Sequence, residues 1–382
     1  MDIKKTTAIL ASAAIILSLT ACGEGDEGQP DKSGGLTNGI QTSESYSDSA
    51  VSSSQNSENT NTENAAFVPD PVKLPDIWEV LPEIPVSDAG DFKYKPDSEA
   101  GGIVVTDYIG DKTDVRIPDS FDGETVVKVE LDNCKKALTE LILPDSVKSY
   151  KLSDEIKLAL KYMNIPAGIT EIADYSFAGW KCLLAVYIPD GVFTIGKFVF
   201  DDCESLENIT LPGSITSIGG ASLLNCPSLT DIKAVNGDGN YCSADGFLYE
   251  KTEDGGISLR KCPTGKAGNI VIPEGVTAIS KSAFDYCQKI TGVTFPASLA
   301  VIGEKVFADC ISLTNITFSG GSIELGDRAF IDCTGLTDVT IPDSVTKIDD
   351  SFYGCNSIKA TYKGKTYTYA EIDSLYSAIN GD

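Results

Sequence analysis

From about Asp91 onward, apolar residues return in one spacing, copy after copy. Leu313-x-x-Ile316-x-Phe318 sets alternate side chains on one face of a short strand, the period-2 signature of a half-buried strand. A proline commonly follows, where its missing N–H stops the strand from extending. These prolines stand at 144, 166, 189 and 212, then at 273, 296 and 342, with Ser319 in the slot between the last two. The first intervals are 22, 23 and 23. The clearest unit reads Val276-Thr-Ala-Ile279, Ala283-Phe284, Cys287, Ile290, Val293, Phe295-Pro296. The next gives Leu299, Val301-Ile302-Gly303, Phe307-Ala-Asp-Cys310, Leu313, Ile316, Phe318. A unit this short cannot enclose a core, but stacked units bury one continuous apolar column.

The L-x-x-L-x-L skeleton, with Ile-Pro following and Ala-Phe-x-x-Cys preceding, resembles the bacterial BspA-like leucine-rich repeats. The likeness runs from about Ile117 to Ile358. It implies an α/β-repeat solenoid: a right-handed leucine-rich repeat superhelix of roughly 23-residue units, mostly short strands with little helix. Tyr108-Ile-Gly-Asp…Ile117-Pro118 resembles the family's N-terminal cap, expected over about 91–130. Thr361-Tyr-Lys-Gly-Lys-Thr-Tyr-Thr-Tyr resembles its C-terminal cap, expected over about 358–382. The family is associated with surface-exposed adhesion and with binding of proteins or host cells, and has no shared enzymatic activity.

One stretch breaks the period. Cys226 and Cys287 are 61 residues apart, too many for one unit and too few for three. Asp245–Glu250 and Ile257–Lys261 flank Glu253-Asp-Gly-Gly256, which predicts a β-hairpin inserted over about 236–268, with glycine supplying the positive φ of its turn.

The N-terminus bears on location. Lys4 and Lys5 precede an apolar run, Ala8 to Leu19, too short for the roughly 20 residues that cross a bilayer. Residues 1–21 therefore read as a signal peptide. Leu19-Thr20-Ala21-Cys22 resembles a bacterial lipoprotein signal, which would make Cys22 the lipid-bearing residue; plain secretion is the alternative. Residues 22–66, rich in Gly, Ser, Asn, Thr and acid, predict a disordered tether reaching on the order of 35–40 Å. Residues 67–90, with five prolines, predict a stiffer stalk. The expected location is the outer face of a bacterial cell envelope.

Composition narrows the chemistry. A net charge of −26 disfavours nucleic acid and anionic lipid, leaving the membrane reachable only through the N-terminal lipid. With no histidine in the chain, histidine bases, triads and zinc ligands are excluded. No phosphate loop, nucleophile elbow or metal-spaced cysteine pair is present, so neither cofactor nor catalysis is expected. Asn236-Gly-Asp238-Gly-Asn240 alternates oxygen side chains like a calcium loop but has Phe247 where the bidentate Glu belongs; a plain turn is preferred. The Asn-x-Thr acceptor patterns at Asn208 and Asn315 fall on strands and carry little weight.

Ten cysteines besides Cys22 could form a disulfide framework. Cys203, Cys226, Cys287, Cys310, Cys333 and Cys355, however, all stand three residues before the strand's first apolar position. That phase predicts one inward column of thiols. Stacked turns would bring their Cα atoms within bonding range, but parallel Cβ vectors suit bridging poorly. Trp180 takes the cysteine slot in its own copy, and Cys182 falls off register; Trp180 either fills the column or stacks a sugar at the surface. Cys134 is also out of step. Cys242 and Cys262 bound the hairpin, and a bond between them is open.

Outward strand positions form two rows. One is Asn164, Tyr187, Thr210, Lys233, Thr294, Thr317, Thr340; the other is Glu140, Tyr162, Ala185, Asn208, Asp231, Gly292, Asn315, Asp338. Threonine is ordinary on a solvated strand, whereas aromatics are enriched at binding hot spots. The candidate ligand site is therefore Tyr162, Asn164, Trp180, Tyr187, Asn208 and Thr210. The expected function is a monomeric surface adhesin that binds an extracellular protein through the repeat sheet; a glycan or cell-wall polysaccharide is the alternative, and a structural spacer a third reading.

Overall fold

The computed structural model describes residues 67, 69–70, 72–235 and 239–381. The proposed signal peptide, Cys22, the tether and most of the Asn236–Asn240 loop lie outside those residues.

A typical repeat contributes two strands and one tight turn; between Ser149–Leu152 and Tyr162–Asn164 a short helix, Asp154–Ala159, takes the place of the turn. The first set forms the expected sheet: Tyr162–Asn164, Ala185–Tyr187, Asn208–Leu211 and Asp231–Ala234, then Ile290–Phe295, Asn315–Phe318, Asp338–Ile341 and Lys359–Tyr362. Where neighbours pair they do so in parallel, with partners one repeat apart, as in Thr294↔Thr317 and Thr210↔Lys233; the ladder breaks between Ala185–Tyr187 and Asn208–Leu211 and between Asn315–Phe318 and Asp338–Ile341. The second sheet went unread in the sequence. Its strands Glu171–Ile172, Thr194–Ile195 and Ser217–Ile218 are two residues long and give no alternation to count. It resumes with Val276–Ile279, Val301–Ile302, Ile323–Leu325 and Val345–Ile348.

The third side is a turn that repeats its backbone. Lys305 and Asp309, or Arg328 and Asp332, adopt φ between 52° and 56°, left-handed positions that Asp and Gly fill at low cost. Amides two residues apart then donate to the next turn: Lys305 N–H to Asp327, Phe307 N–H to Ala329, Asp309 N–H to Ile331. Inside this turn the phenylalanines stack. Ring centroids are 4.6 Å apart for Phe284–Phe307, 5.0 Å for Phe307–Phe330 and 5.4 Å for Phe330–Phe352. The six in-phase cysteines are all buried beside them, and no described cysteine is disulfide-bonded.

The interruption is larger than one hairpin. Tyr241–Ala244, Phe247–Lys251 and Ile257–Lys261 form an antiparallel meander, whose first turn, Asp245–Gly246, has φ of 52° and 79°, as a two-residue hairpin requires. The last strand then pairs in parallel with Val276–Ile279. The insertion is thus built into the second sheet, and it divides the interior into a cluster ending at Leu248 and another beginning at Cys242.

Both caps form. Phe92, Tyr108 and Phe121 close the N-terminal end. At the other end a hairpin, Lys359–Tyr362 with Lys365–Thr368, leads into the helix Ile372–Asn380, which buries Ile372, Leu375 and Ile379.

Residues 67–90 depart from the expected stalk. They contain a short helix, Ile77–Val80, with a capping box from Asp76 and Glu79. Leu81, only 3 % exposed, and Ile84 pack on Ile142 of the first sheet, against Tyr162, Ala185 and Tyr187. Farther back, Phe67 lies 4.6 Å from the Tyr249 ring, and the Asp70 amide donates to Ser243 at 2.7 Å. The segment folds onto the repeats because apolar side chains between its prolines find an apolar surface there.

Candidate functional site

The six candidate residues do not share one surface. Asn208 is exposed and Thr210 half-buried on the strand Asn208–Leu211. Tyr162 and Tyr187 project outward from their strands but are half-buried beneath Leu81 and Ile84. That burial raises both phenol pKa values, with Glu140 adding to it at Tyr162 and Asp76 at Tyr187.

Asn164 is a correction: it is 1 % exposed and turned along the stack. Its Oδ1 accepts from the Leu143 amide at 2.7 Å, and its Nδ2 donates to the Leu143 carbonyl at 2.8 Å. The side chain bridges two turns where main-chain pairing has stopped at Leu141↔Met163. Trp180 is corrected too as a surface aromatic, being 4 % exposed. It fills the cysteine slot and meets Phe177 edge-on at 4.7 Å, as the column reading expected.

An uncovered part of the first sheet lies toward the C-terminus. Asn315, Thr317, Asp338, Thr340 and Lys359 are exposed there on three neighbouring strands. These polar groups stand in rows on rigid parallel strands and present acceptors and donors at a fixed repeat.

Two further features escaped the sequence reading. Tyr175, 60 % exposed, stacks on Phe198 at 5.1 Å with the planes 5° apart; both have left-handed φ at equivalent turn positions, which hydropathy alone does not mark. Beside Phe198, a cleft of about 420 Å³ opens where the insertion meets the repeats. Ile218, Leu223 and Leu248 give it an apolar wall, and Lys261 and Asp285 reach into it. Burial pushes the Asp285 carboxyl up to about 6. Among the described residues no cluster of acids and cysteines is arranged to hold a metal, and no helix is long and apolar enough to cross a membrane.

The sequence matches the family profile of the BspA type leucine rich repeat region in six copies, over residues 155–245 and 262–377. Among curated proteins no match is found. A leucine-rich cell surface protein from Faecalibacterium prausnitzii is similar at 24 % identity and TM-score 0.46, over 78 % of this chain and 98 % of that one. The pneumococcal vaccine antigen PcpA is similar at 16 % identity and TM-score 0.48, over 73 % and 89 %. A leucine-rich repeat protein from Bacteroides ovatus gives 20 % identity and TM-score 0.37, over 72 % and 87 %.

Proposed function

Because this chain belongs to the BspA-type leucine-rich repeat family, we propose that it is a surface-displayed binding module, not an enzyme, and that it recognises an extracellular protein through the open part of its first sheet. The observation that carries this reading is the exposed polar row Asn315, Thr317, Asp338 and Thr340. Strands that repeat every turn hold these groups rigid, so binding loses little side-chain and backbone entropy. An exposed row on a sheet face suits a folded protein better than a small molecule, which needs a concave site. Display follows from the N-terminal pattern: Lys4 and Lys5, the apolar run, then Cys22 as lipid attachment on the outer face of the envelope.

A glycan or cell-wall polysaccharide is the second reading. Tyr175, exposed and backed by Phe198, favours it, because a sugar ring lays its C–H face on such an aromatic.

Both readings are tested by binding the full chain to arrays of extracellular-matrix proteins and of glycans. The protein reading expects a matrix or bacterial protein ligand whose affinity drops about tenfold in Thr317→Arg, the loss of one well-placed contact. The glycan reading expects a polysaccharide ligand lost in Tyr175→Ala. Binding to neither array would defeat both.

A further inference from the structure

In a regular turn, amides two residues apart donate to the carbonyls of the following turn, as at Phe198, Phe200 and Asp202, whose acceptors are Gly220, Ser222 and Leu224. At the C-terminal end no further turn exists, and the fold caps the edge with hydroxyls. The Phe352 amide donates to Tyr376 Oη at 2.9 Å, and the Gly354 amide to Tyr369 Oη at 3.2 Å.

The other interruption of this ladder is at the insertion, and there the capping is incomplete. The Ile218 amide donates to Tyr241 Oη, and the Cys226 amide to Thr264 Oγ1. Between them stand Ala221 and Leu223, the counterparts of Phe198 and Phe200, and neither amide has an acceptor among the described residues. Across the cleft, of the Lys281, Ala283 and Asp285 carbonyls that correspond to those acceptors, only that of Ala283 is met among the described residues, by Cys262 N–H. Asp285 Oδ1 is buried with no hydrogen-bond partner. The cleft of about 420 Å³ lies between these two turns. One rung of the ladder is missing, and the unmatched groups line the gap. Unmet main-chain donors and a lone buried carboxylate oxygen are costly to leave without partners.

We propose that this cleft binds an extended peptide segment that takes the place of the missing rung. Its carbonyls accept from the Ala221 and Leu223 amides, as a following turn does elsewhere, and its apolar side chain sits against Ile218, Leu223 and Leu248. A lysine ammonium on the peptide meets Asp285 Oδ1. This is strand addition to an exposed edge, with the main chain giving affinity and the lining side chains giving selection. The site is separate from the open face of the first sheet and does not depend on that face being a binding surface.

The probe is a pool of blocked pentapeptides with a central lysine between apolar residues, added to the full chain and followed by amide hydrogen exchange. Exchange at Ala221 and Leu223 is expected to slow by about tenfold or more as these amides gain acceptors. Gly220 lines the cleft, and a Cβ there meets no atom within 4 Å, so Gly220→Trp is expected to obstruct the space and abolish the slowing. Asp285→Asn weakens the lysine pool by about tenfold and leaves a norleucine-centred pool unaffected. Thr317→Arg, on the open sheet face, leaves peptide binding unchanged. No slowing with the lysine pool, or slowing that persists in Gly220→Trp, overturns the proposal. So does slowing by cello-oligosaccharides with none by peptides, which assigns the cleft to a sugar.

Discussion

The thiol of Cys333 donates to the main-chain carbonyl of Phe307, one turn earlier, at 3.0 Å. Cys203 meets Phe177 at 3.1 Å, Cys226 meets Phe200 at 3.0 Å, Cys310 meets Phe284 at 3.1 Å and Cys355 meets Phe330 at 3.0 Å. The phenylalanine that stacks on its neighbours thus also anchors the next cysteine. Removing one sulfur leaves a void in a fully buried column and a carbonyl without its donor. Cys333→Ala is expected to lower unfolding stability by about 1.5–3 kcal/mol in denaturant titration. An unchanged midpoint would show that the column contributes nothing.

The same burial makes these thiols inert. It pushes Cys226 up to about 12 and raises Cys203, Cys310 and Cys333 as well, so almost no thiolate forms at neutral pH. Among the described cysteines Cys182 alone is half-buried. Maleimide labelling of the native protein, read by peptide mass spectrometry, is expected at Cys182 first and at the column only after unfolding. Labelling of Cys310 as fast as Cys182 would contradict this.

The period, the caps and the inward cysteines were legible because many copies carry the same residue types in one phase. What depended on a single residue's neighbour was not. Asn164 occupies the same slot as Tyr187 and Thr210, and alternation cannot tell an outward amide from one that turns along the stack to Leu143. Leu81 and Ile84 stand among prolines with no period to reveal which surface they seek. Asp245-Gly246 carries a hairpin signal of its own, which the apolar run that follows it masks as the start of a strand. The cleft at Asp285 exists because the insertion displaces one turn, and no local pattern encodes a missing neighbour.

Asn164 supplies a strong test of that correction. Asn164→Leu keeps the approximate volume but leaves the Leu143 N–H and C=O buried without partners. The expected loss is about 2–4 kcal/mol, with the largest rise in amide exchange at Leu143. A surface residue poised for a ligand would cost almost nothing on substitution, so a neutral result restores the outward reading.

The covering segment makes a separate prediction. Arg116 lies over the Trp78 ring at 5.0 Å, and the segment's apolar anchors are Leu81 and Ile84. Leu81→Asp places a charge in that contact and should release the segment while the repeats stay folded. Limited proteolysis within residues 72–90 is expected to accelerate and Trp78 emission to shift to the red. Protease resistance equal to that of the parent chain would show that the segment is held by other contacts.

Asp285 connects the cleft to pH. Burial is the main cause of its raised pKa and Asp309 adds to it, while Lys261, Lys305 and a hydrogen bond from Ser282 act the other way. The carboxyl moves from an ordinary 3.8 to about 6, so between those values the folded state binds a proton that the unfolded state has released. Stability therefore falls as pH rises through that window, and the cost is fully present at pH 7. Two pKa units correspond to roughly 3 kcal/mol; partial solvent access reduces the expected effect to about 1–2 kcal/mol. Asp285→Asn removes the titration. In urea melts it should exceed the parent chain by that amount at pH 7 and lose the advantage near pH 4. An advantage independent of pH would mean that the carboxylate charge is not what strains the site.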